Sequence, residues 1–383
     1  MSGRGQHYFP CFLQAGFNSR PGGKVRRAWL YRKGASKPVE TALTNIGKER
    51  DFYQATVGGI TLSADEVMTQ AEGAWLSGLV HELRNGKAGP VGNADSIAEL
   101  FAHVQLRTRA AWFFAEISAE SFGRLIQEDA AIQGIVKNLI PSIVEALGDC
   151  FSHLITRVAP DVDPEYIRQN LPGVLAGAPI SEIFAPGQGR AGDIYNDLAV
   201  DVMKMLKVWI MATMAQHPES APEFRGCAFV ICDFPDIRLV QGDTVVVYHK
   251  VSGGFTPMLR EGEVFDFAFL PLTSSRVVVA SKGGTPESGE MLQDASIRCS
   301  WNHFISDIRD ERLATSASMI GEDIPEICGE DMKKILLAAS MDEQRANCRA
   351  FLESAAYRAI SEKWVPWPWL RDASVENEQG DGA

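Results

Sequence analysis

The sequence lacks paired cysteines and long apolar runs. Its seven cysteines are an odd number, lie far apart and include no Cys-x-x-Cys pair, which argues against a disulfide framework and against a structural zinc site. No uninterrupted apolar run approaches the roughly 20 residues of a membrane helix, and the first residues contain no apolar signal stretch. These absences predict a cytoplasmic protein that does not enter a membrane.

The short motifs of several common hydrolase classes are absent as well. The chain contains no Gly-x-Ser-x-Gly elbow and no Walker loop. His81-Glu82 begins like the helical zinc-protease motif, but Asn85 occupies the position of its second histidine. Any reaction therefore depends on residues that the fold brings together.

Negative charge exceeds positive charge in this chain. The 383 residues contain 37 Lys and Arg against 49 Asp and Glu, which gives a formal net charge of −12. This charge repels nucleic acid on average and disfavours sequence-independent binding to a phosphate backbone, but it says nothing about one local cleft. With 45% apolar residues the chain is long enough for a large core, in two or three domains or in one elaborate domain.

Residue patterns divide the chain into extended and helical stretches. Alternating and β-branched segments are found near the N-terminus and again after Pro222, whereas helical spacing dominates between and after them. The predicted strands cover residues 25–31, 39–46, 227–232, 244–250, 264–272 and 276–281. The predicted helices cover residues 63–84, 94–118, 119–130, 132–157, 164–171, 193–216, 290–310, 329–339 and 342–363.

This order of segments predicts an α+β fold, with a mixed sheet formed from N-terminal and C-terminal strands and a large helical insertion. Two or three N-terminal strands are marginal as a sheet of their own, so adding them to the four C-terminal strands is the economical solution. The alternative is a helical domain with two β modules. The predicted parts are residues 1–62 (strands completing the sheet), 63–221 (helical block), 222–370 (β-rich core with C-terminal helices) and 371–383 (disordered acidic tail).

Two polar residues occupy settings that are typical of functional sites. Asp233 ends a predicted apolar strand shortly before Pro235, a position suited to a catalytic acid and equally to a turn. His7, next to Tyr8, places a titratable ring at the very start of the fold, where it either takes part in chemistry or only packs.

The predicted helix 94–118 carries a polar run that contains Gln105, Arg107 and Arg109. Helical spacing places Arg107 about 200° around the axis from Gln105, so at least one arginine should face protein rather than water. A buried guanidinium needs a carboxylate or phosphate partner, and a solvated helix face is the alternative. The candidate carboxylates are Glu49, Asp51, Glu72 and Asp233.

A dense aromatic cluster precedes the acidic tail. It contains Trp364, Trp367 and Trp369, separated by prolines. The cluster is either a clasp that packs on the core or a surface for a protein partner or for base stacking.

Several short polar and aromatic motifs follow one another along most of the chain. They are Gln6-His7-Tyr8 with Pro10, Phe12-Leu13 and Phe17, Lys48-Glu49 with Asp51-Phe52-Tyr53, Gln105 with Arg107-Thr108, Phe229-Val230 with Cys232-Asp233 and Pro235, Pro271-Leu272, and Asn302. This series, over about residues 6–310, resembles the Domain of Unknown Function 4238 family. The chain departs from the family pattern at Cys232 and Phe234, where Ser and Asn are usual, and at Arg109, where proline is common. The resemblance implies an association with bacterial phage defence and no defined reaction.

Two hypotheses follow for the motif residues. In the first, the protein is a hydrolase or nuclease acting on nucleic acid or a nucleotide. Asp233 with Glu49 or Asp51 then holds a divalent metal or serves as base, His7 is the general acid or a ligand, and Arg107 stabilises phosphate charge. In the second, the protein is a non-catalytic binding or sensor module, and the polar residues form a buried network that ties the chain ends to the sheet. Under the hydrolase hypothesis, the residues expected to contact the substrate are Gln105, Asn302 and Tyr8.

Overall fold

The computed structural model describes residues 5–57, 60–63, 65, 69, 72–109, 222–260 and 262–325. The chain divides into two compact units. The first comprises Met1–Tyr53, Ala64–Ala115 and Met211–Glu326, and the second comprises Gln54–Ser63, Glu116–Ile210 and Ile327–Ala383. Within the described residues, the second unit consists of one antiparallel hairpin, and all other elements belong to the first.

The described elements are as follows in chain order. The strands are β1 (Gly5–His7), β2 (Arg27–Arg32), β3 (Val39–Ala42), β4 (Lys48–Arg50), β5 (Gln54–Val57), β6 (Ile60–Ser63), β7 (Gly89–Pro90), β8 (Ala228–Asp233), β9 (Gln241–Gly242), β10 (Val247–Lys250), β11 (Phe255–Thr256), β12 (Phe265–Thr273), β13 (Arg276–Ser281) and β14 (His303–Ser306). The α-helices are α1 (Cys11–Gln14), α2 (Ser77–Asn85), α3 (Ala94–Leu106), α4 (Gly289–Arg298) and α5 (Glu311–Ser316). A π-helical segment, Glu72–Leu76, leads into α2.

The largest sheet has six strands in the order β11-β10-β12-β13-β8-β7, with antiparallel pairing throughout. Its central strands are almost continuously apolar because both faces are covered. On one face, Phe267 and Val277 pack with Leu292 of α4. On the other, the ring centroid of Phe101 in α3 lies 5.7 Å from that of Phe229. The sheet therefore holds α3 and α4 on opposite sides.

A second sheet has four strands in the order β3-β2-β14-β9. The rings of Tyr31 on β2 and Phe304 on β14 stack with their centroids 4.8 Å apart. They belong to a core cluster that also contains Ile297 of α4 and Leu313 of α5. Because α4 contributes to the cores of both sheets, it joins them into one unit.

The chain crosses from the second sheet to the first between β9 and β10. Val245 in this crossing has a φ of 65°, in the left-handed region that β-branched residues rarely adopt. Just before it, a Cβ atom added at Gly242 would lie 2.4 Å from Ser300 Oγ and 2.8 Å from the carbonyl oxygen of Ser296. The crossing is therefore packed tightly against the end of α4, and its backbone has little freedom to move.

Gly242→Ala is expected to destabilise the protein by roughly 1–3 kcal/mol, the usual cost of adding a methyl group to a packed site. The serine hydroxyl can rotate away, but the α4 carbonyl cannot. Gly92→Ala is the matched control, because no atom lies within 4 Å of its added Cβ. Urea denaturation of both variants measures the difference, and equal midpoints would contradict the tight packing.

The mixed α+β class is confirmed, since helices accompany several antiparallel sheets. The single sheet expected from the sequence is instead divided in two. β2 does pair with a C-terminal strand, but that strand is β14, which pairs with β9 in turn, rather than one of the four strands predicted. Within the described residues, β3 pairs with β2. The cause is β14, which is buried at all four positions and has no polar alternation, so its residues fall in the predicted helix 290–310.

Other predictions lie outside the described residues. These are the helices at 119–130, 132–157, 164–171, 193–216, 329–339 and 342–363, the tryptophan cluster and the acidic tail. The domain limits at 62, 221 and 370 stay predictions. No helix within the described ranges combines the length and apolar character of a membrane crossing.

Candidate active site

A histidine and an aspartate from distant parts of the sequence meet at the crossing between the two sheets. His303 Nδ1, at the start of β14, lies 3.3 Å from Asp243 Oδ2, just after β9. The carboxylate of Asp243 is fully buried and accepts hydrogen bonds from the backbone amides of Trp301 (2.6 Å) and Asn302 (2.9 Å). The 3.3 Å approach of this carboxylate to Nδ1 favours the neutral tautomer that carries its proton on that nitrogen.

The second ring nitrogen of His303 is unpaired among the described residues. The side chain is only 7% exposed, and Nε2 is buried without a donor or acceptor in the part of the chain that the structure describes. Burial lowers the pKa of His303 below its ordinary value, although Asp243 acts in the opposite direction. The ring is therefore neutral at pH 7. An unpaired buried polar atom costs about 1–3 kcal/mol. Nε2 of His303 is one of eight buried side-chain atoms without a hydrogen-bond partner among the described residues, and what distinguishes it is the carboxylate that faces the other ring nitrogen.

Two aromatic rings from the start of the chain flank this imidazole. Their centroids lie 6.3 Å (Tyr8) and 6.0 Å (Phe9) from that of His303. Burial, and secondarily the charge of Asp243, raise the pKa of the Tyr8 phenol. The hydroxyl stays protonated and can donate a hydrogen bond, and the role of Tyr8 in contacting substrate stays a prediction.

Two guanidinium groups border the same site. Arg109 lies over the Tyr8 ring, with Cζ 5.9 Å from its centroid, and forms an ion pair with Glu49, one of the predicted carboxylate partners. Arg32 is paired in register with His303 across β2 and β14, which places both side chains on one face of the sheet. Both cations contribute to the low pKa of His303. Their charge favours an anionic ligand.

Arg107 is the centre of a second, buried cluster just after α3. It forms an ion pair with Glu72, which confirms that a buried arginine takes one of the predicted carboxylates. Its Nη2 donates to the carbonyl oxygen of His7 (2.6 Å), and its own carbonyl accepts from Tyr53 Oη (2.7 Å). Burial raises the pKa of Tyr53 to about 12. The guanidinium of Arg107 therefore joins the start of the chain to α3.

Two glutamines extend this cluster. The side-chain oxygen of Gln6 accepts from the backbone amide of Tyr53 (2.6 Å). Gln105 accepts from Tyr248 Oη in the six-stranded sheet (2.6 Å). Gln105 thus contacts the six-stranded sheet, and its contact with substrate stays a prediction.

His7 is half-buried. Its Nδ1 lies 3.4 Å from the carbonyl oxygen of Ile46 and 3.5 Å from Cys11 Sγ. Burial lowers the pKa of His7. These are the contacts of a packed histidine.

Asp233 is bound by an arginine at the edge of the six-stranded sheet. Its two carboxylate oxygens accept from Arg276 Nε (2.7 Å) and Nη2 (2.8 Å). Arg276 Nη1 donates to the carbonyl oxygens of Arg84 and Gly86, 2.7 Å each, at the end of α2. Asp233 therefore orients a cation that caps a helix C-terminus.

His7 and Asp233 do not form the shared pocket that the sequence predicts. No contact among the described residues joins them, because β1 pairs only with β4 whereas Asp233 ends β8 in the six-stranded sheet. The prediction assumed a single sheet, and the division into separate sheets removes its basis.

Arg276→Ala is expected to destabilise the fold by about 2 kcal/mol, since it leaves carbonyl groups at the end of α2 without a donor. Asp233→Asn should cost less than about 1 kcal/mol, because the carboxylate is 39% exposed and water can replace part of the pairing. Chemical denaturation ranks the two variants. A larger loss from Asp233→Asn than from Arg276→Ala would show that Asp233 has another role.

The predicted metal ligands do not converge. Glu49 is occupied by Arg109, and Asp51 lies 3.4 Å from Arg50 Nε at an exposed turn where its φ is 55°. Within the described residues, no group of three His, Cys, Asp or Glu side chains is arranged to hold a metal ion. These carboxylates do not form a donor set that fits a divalent cation.

Comparison of the chain with protein-family models, curated proteins and solved structures finds no match. The resemblance to the Domain of Unknown Function 4238 family stays a prediction. The site is therefore interpreted from its own chemistry.

Sequence reasoning missed both members of the histidine–aspartate pair. Asn302 was a predicted substrate contact, and it lies next to His303, where its backbone amide binds Asp243. The signal that could have found Asp243 is Gly242-Asp243 before a β-branched run, because that turn brings a carboxylate to a strand edge.

Proposed function

We propose that this protein is a hydrolase of phosphate esters, with nucleic acid or a nucleotide as substrate class, in which His303 transfers the proton. The pair formed by Asp243 and His303 carries the proposal. A neutral imidazole, oriented by a buried carboxylate and ending in an unpaired nitrogen, has the arrangement of a general base. His7 and Asp233 lack that arrangement.

The chemistry assigned to this pair is proton transfer during attack by water. As the water oxygen bonds to phosphorus, Nε2 of His303 takes one of its protons and the ester P–O bond breaks. The leaving oxygen departs on the opposite side of phosphorus and takes a proton from water. The imidazolium releases its own proton to water when the product leaves, and Asp243 stabilises the positive ring until then. Because Nε2 is buried, side chains around it must move as the substrate enters.

The charge around His303 favours a phosphate over a neutral substrate. Arg32 and Arg109 border the imidazole, and the protonated phenol of Tyr8 supplies a further donor. Guanidinium groups are the usual protein partners of phosphate oxygens.

The proposal is tested with bis(p-nitrophenyl) phosphate and with short fluorescent DNA and RNA strands as probes. The protein, the His303→Asn variant and the His81→Asn variant are compared. His81 is exposed on α2 and serves as the matched histidine control. We expect turnover by the protein and the control only. Absence of turnover for every probe, or equal rates for all three proteins, would refute the proposal.

The second candidate function is a non-catalytic binding or sensor module, which the Arg107 cluster favours. Its residues bind one another and tie the first strand to α3, as a structural network does. Whichever of the two functions holds, we also propose that residues 63–221 form a helical insertion and that the protein takes part in phage defence. We further propose that the C-terminal tryptophans bind a protein partner.

A further inference from the structure

Positive charge is concentrated in one β-hairpin of this acidic chain. Between Arg20 and Glu40 the sequence contains seven Lys and Arg residues and a single carboxylate, that of Glu40, whereas the whole chain has a net charge of −12. The hairpin is formed by β2 and β3. Because charges are screened beyond about 8 Å at physiological salt, a ligand at the hairpin meets this local charge rather than the total.

Most of these cations are free to bind a ligand. Arg20 is paired with Glu40. The five others that are exposed make no ion pair in the described part of the chain. They are Lys24, Arg26, Arg32, Lys33 and Lys37.

Protection of a sheet edge does not account for this charge. β3 is the edge strand of the four-stranded sheet, and charges on an edge strand commonly prevent association with other strands. However, the single charged residue within β3 is Glu40. The cations instead lie before β2, at its end and in the turn, where they form an exposed basic surface.

The basic hairpin leads directly to the candidate active site. Arg32, its last strand residue in β2, is paired in register with His303 on β14. A polyanion bound along the hairpin would therefore pass the imidazole.

We propose that the β2–β3 hairpin binds the phosphate backbone of nucleic acid and presents it to His303. This inference rests on the proposed function and deepens it, because it assigns a polymeric rather than a mononucleotide substrate. Lysine and arginine side chains that contact phosphates release bound counterions, so the affinity should fall steeply with salt. For five contacts on a single strand, binding should weaken about 100-fold between 50 and 200 mM salt.

The test measures binding of a fluorescent single-stranded DNA, and of its duplex, by anisotropy. The triple variant Lys24→Gln, Lys33→Gln, Lys37→Gln is compared with the control triple Lys87→Gln, Arg225→Gln, Arg312→Gln. The control removes three exposed cations elsewhere on the same unit and changes the net charge equally. We expect about 100-fold weaker binding for the hairpin variant at 0.1 M salt, a shallower salt dependence, and near-native affinity for the control.

Several results would overturn the inference. These are no binding of either DNA at 50 mM salt, equal weakening by the two triple variants, or binding to phosphatidylserine vesicles in place of DNA. The His303→Asn variant separates this inference from the proposed function. If that variant and the protein bind DNA equally and neither cleaves it, the hairpin inference stands and the hydrolase proposal fails. If the protein hydrolyses bis(p-nitrophenyl) phosphate without binding DNA, the reverse holds.

Discussion

His303→Asn is expected to lower the rate of phosphate-ester hydrolysis about 10²- to 10⁴-fold, the usual contribution of a positioned general acid or base. Asparagine keeps a polar side chain at the site but cannot accept a proton from water. The loss should appear in kcat rather than in KM, because the imidazole acts in the transition state. The variant also loses the contact of Nδ1 with the buried Asp243 carboxylate, so the rates are compared at a temperature at which both proteins are fully folded.

The pH profile supplies a second, independent readout of the same prediction. Burial lowers the pKa of His303, so the base form persists below pH 6.5 and activity should fall only in more acid solution. Asp243→Asn removes the negative charge that raises this pKa. The acid limb should therefore move to lower pH, while kcat drops because the ring is no longer held in its tautomer. An unchanged pH profile in Asp243→Asn would contradict the pairing.

Arg107→Met is expected to destabilise the fold by about 3–5 kcal/mol, because it removes the guanidinium from the Glu72 carboxylate and leaves His103, 3.4 Å away, as the remaining partner of this charge in the described residues. It also removes the hydrogen bond from the guanidinium to the carbonyl of His7. Urea denaturation measures the loss in free energy of unfolding. This is the largest change in stability that we expect from any single substitution described above.

A double variant separates the cost of a lost partner from the cost of lost packing. Adding Glu72→Gln to Arg107→Met removes the unpaired charge, so part of the lost stability should return. Arg109→Met is the comparison, because its ion pair with Glu49 is about one third exposed and should be worth less than about 1 kcal/mol. Equal effects of the Arg107 and Arg109 substitutions would contradict the buried role of Arg107.

The parts of the fold that sequence could predict were those with local signals. Alternation and β-branched runs located β2, β12 and β13, and helical spacing located α3. The burial of one arginine followed from its position on that helix, and its carboxylate partner was among the candidates. These inferences depend on residues that are close in sequence or on the general need of a buried charge for a partner.

Pairing between distant strands could not be read in the same way. β14 is short and entirely buried, so it has neither alternation nor turn signals, yet it joins β2 to β9. Its first residue, His303, can be recognised as a site residue only from the fold, because the crossing after Gly242 brings Asp243 beside it. The prediction placed His7 and Asp233 together because it assigned both ends of the chain to one sheet, whereas β1 pairs with β4 and Asp233 ends β8 in the six-stranded sheet.

The protonation state of His303 tests the central claim most directly and requires no known substrate. A long-range proton–nitrogen NMR spectrum of protein labelled with nitrogen-15 at histidine, assigned with His303→Asn, shows which ring nitrogen carries the proton. At pH 7 we expect a neutral ring with its proton on Nδ1, facing Asp243, and an Nε2 signal that shifts when inorganic phosphate is added. A proton on Nε2 at pH 7, in either the other neutral tautomer or the doubly protonated ring, would leave no base at this site and would contradict the proposed chemistry.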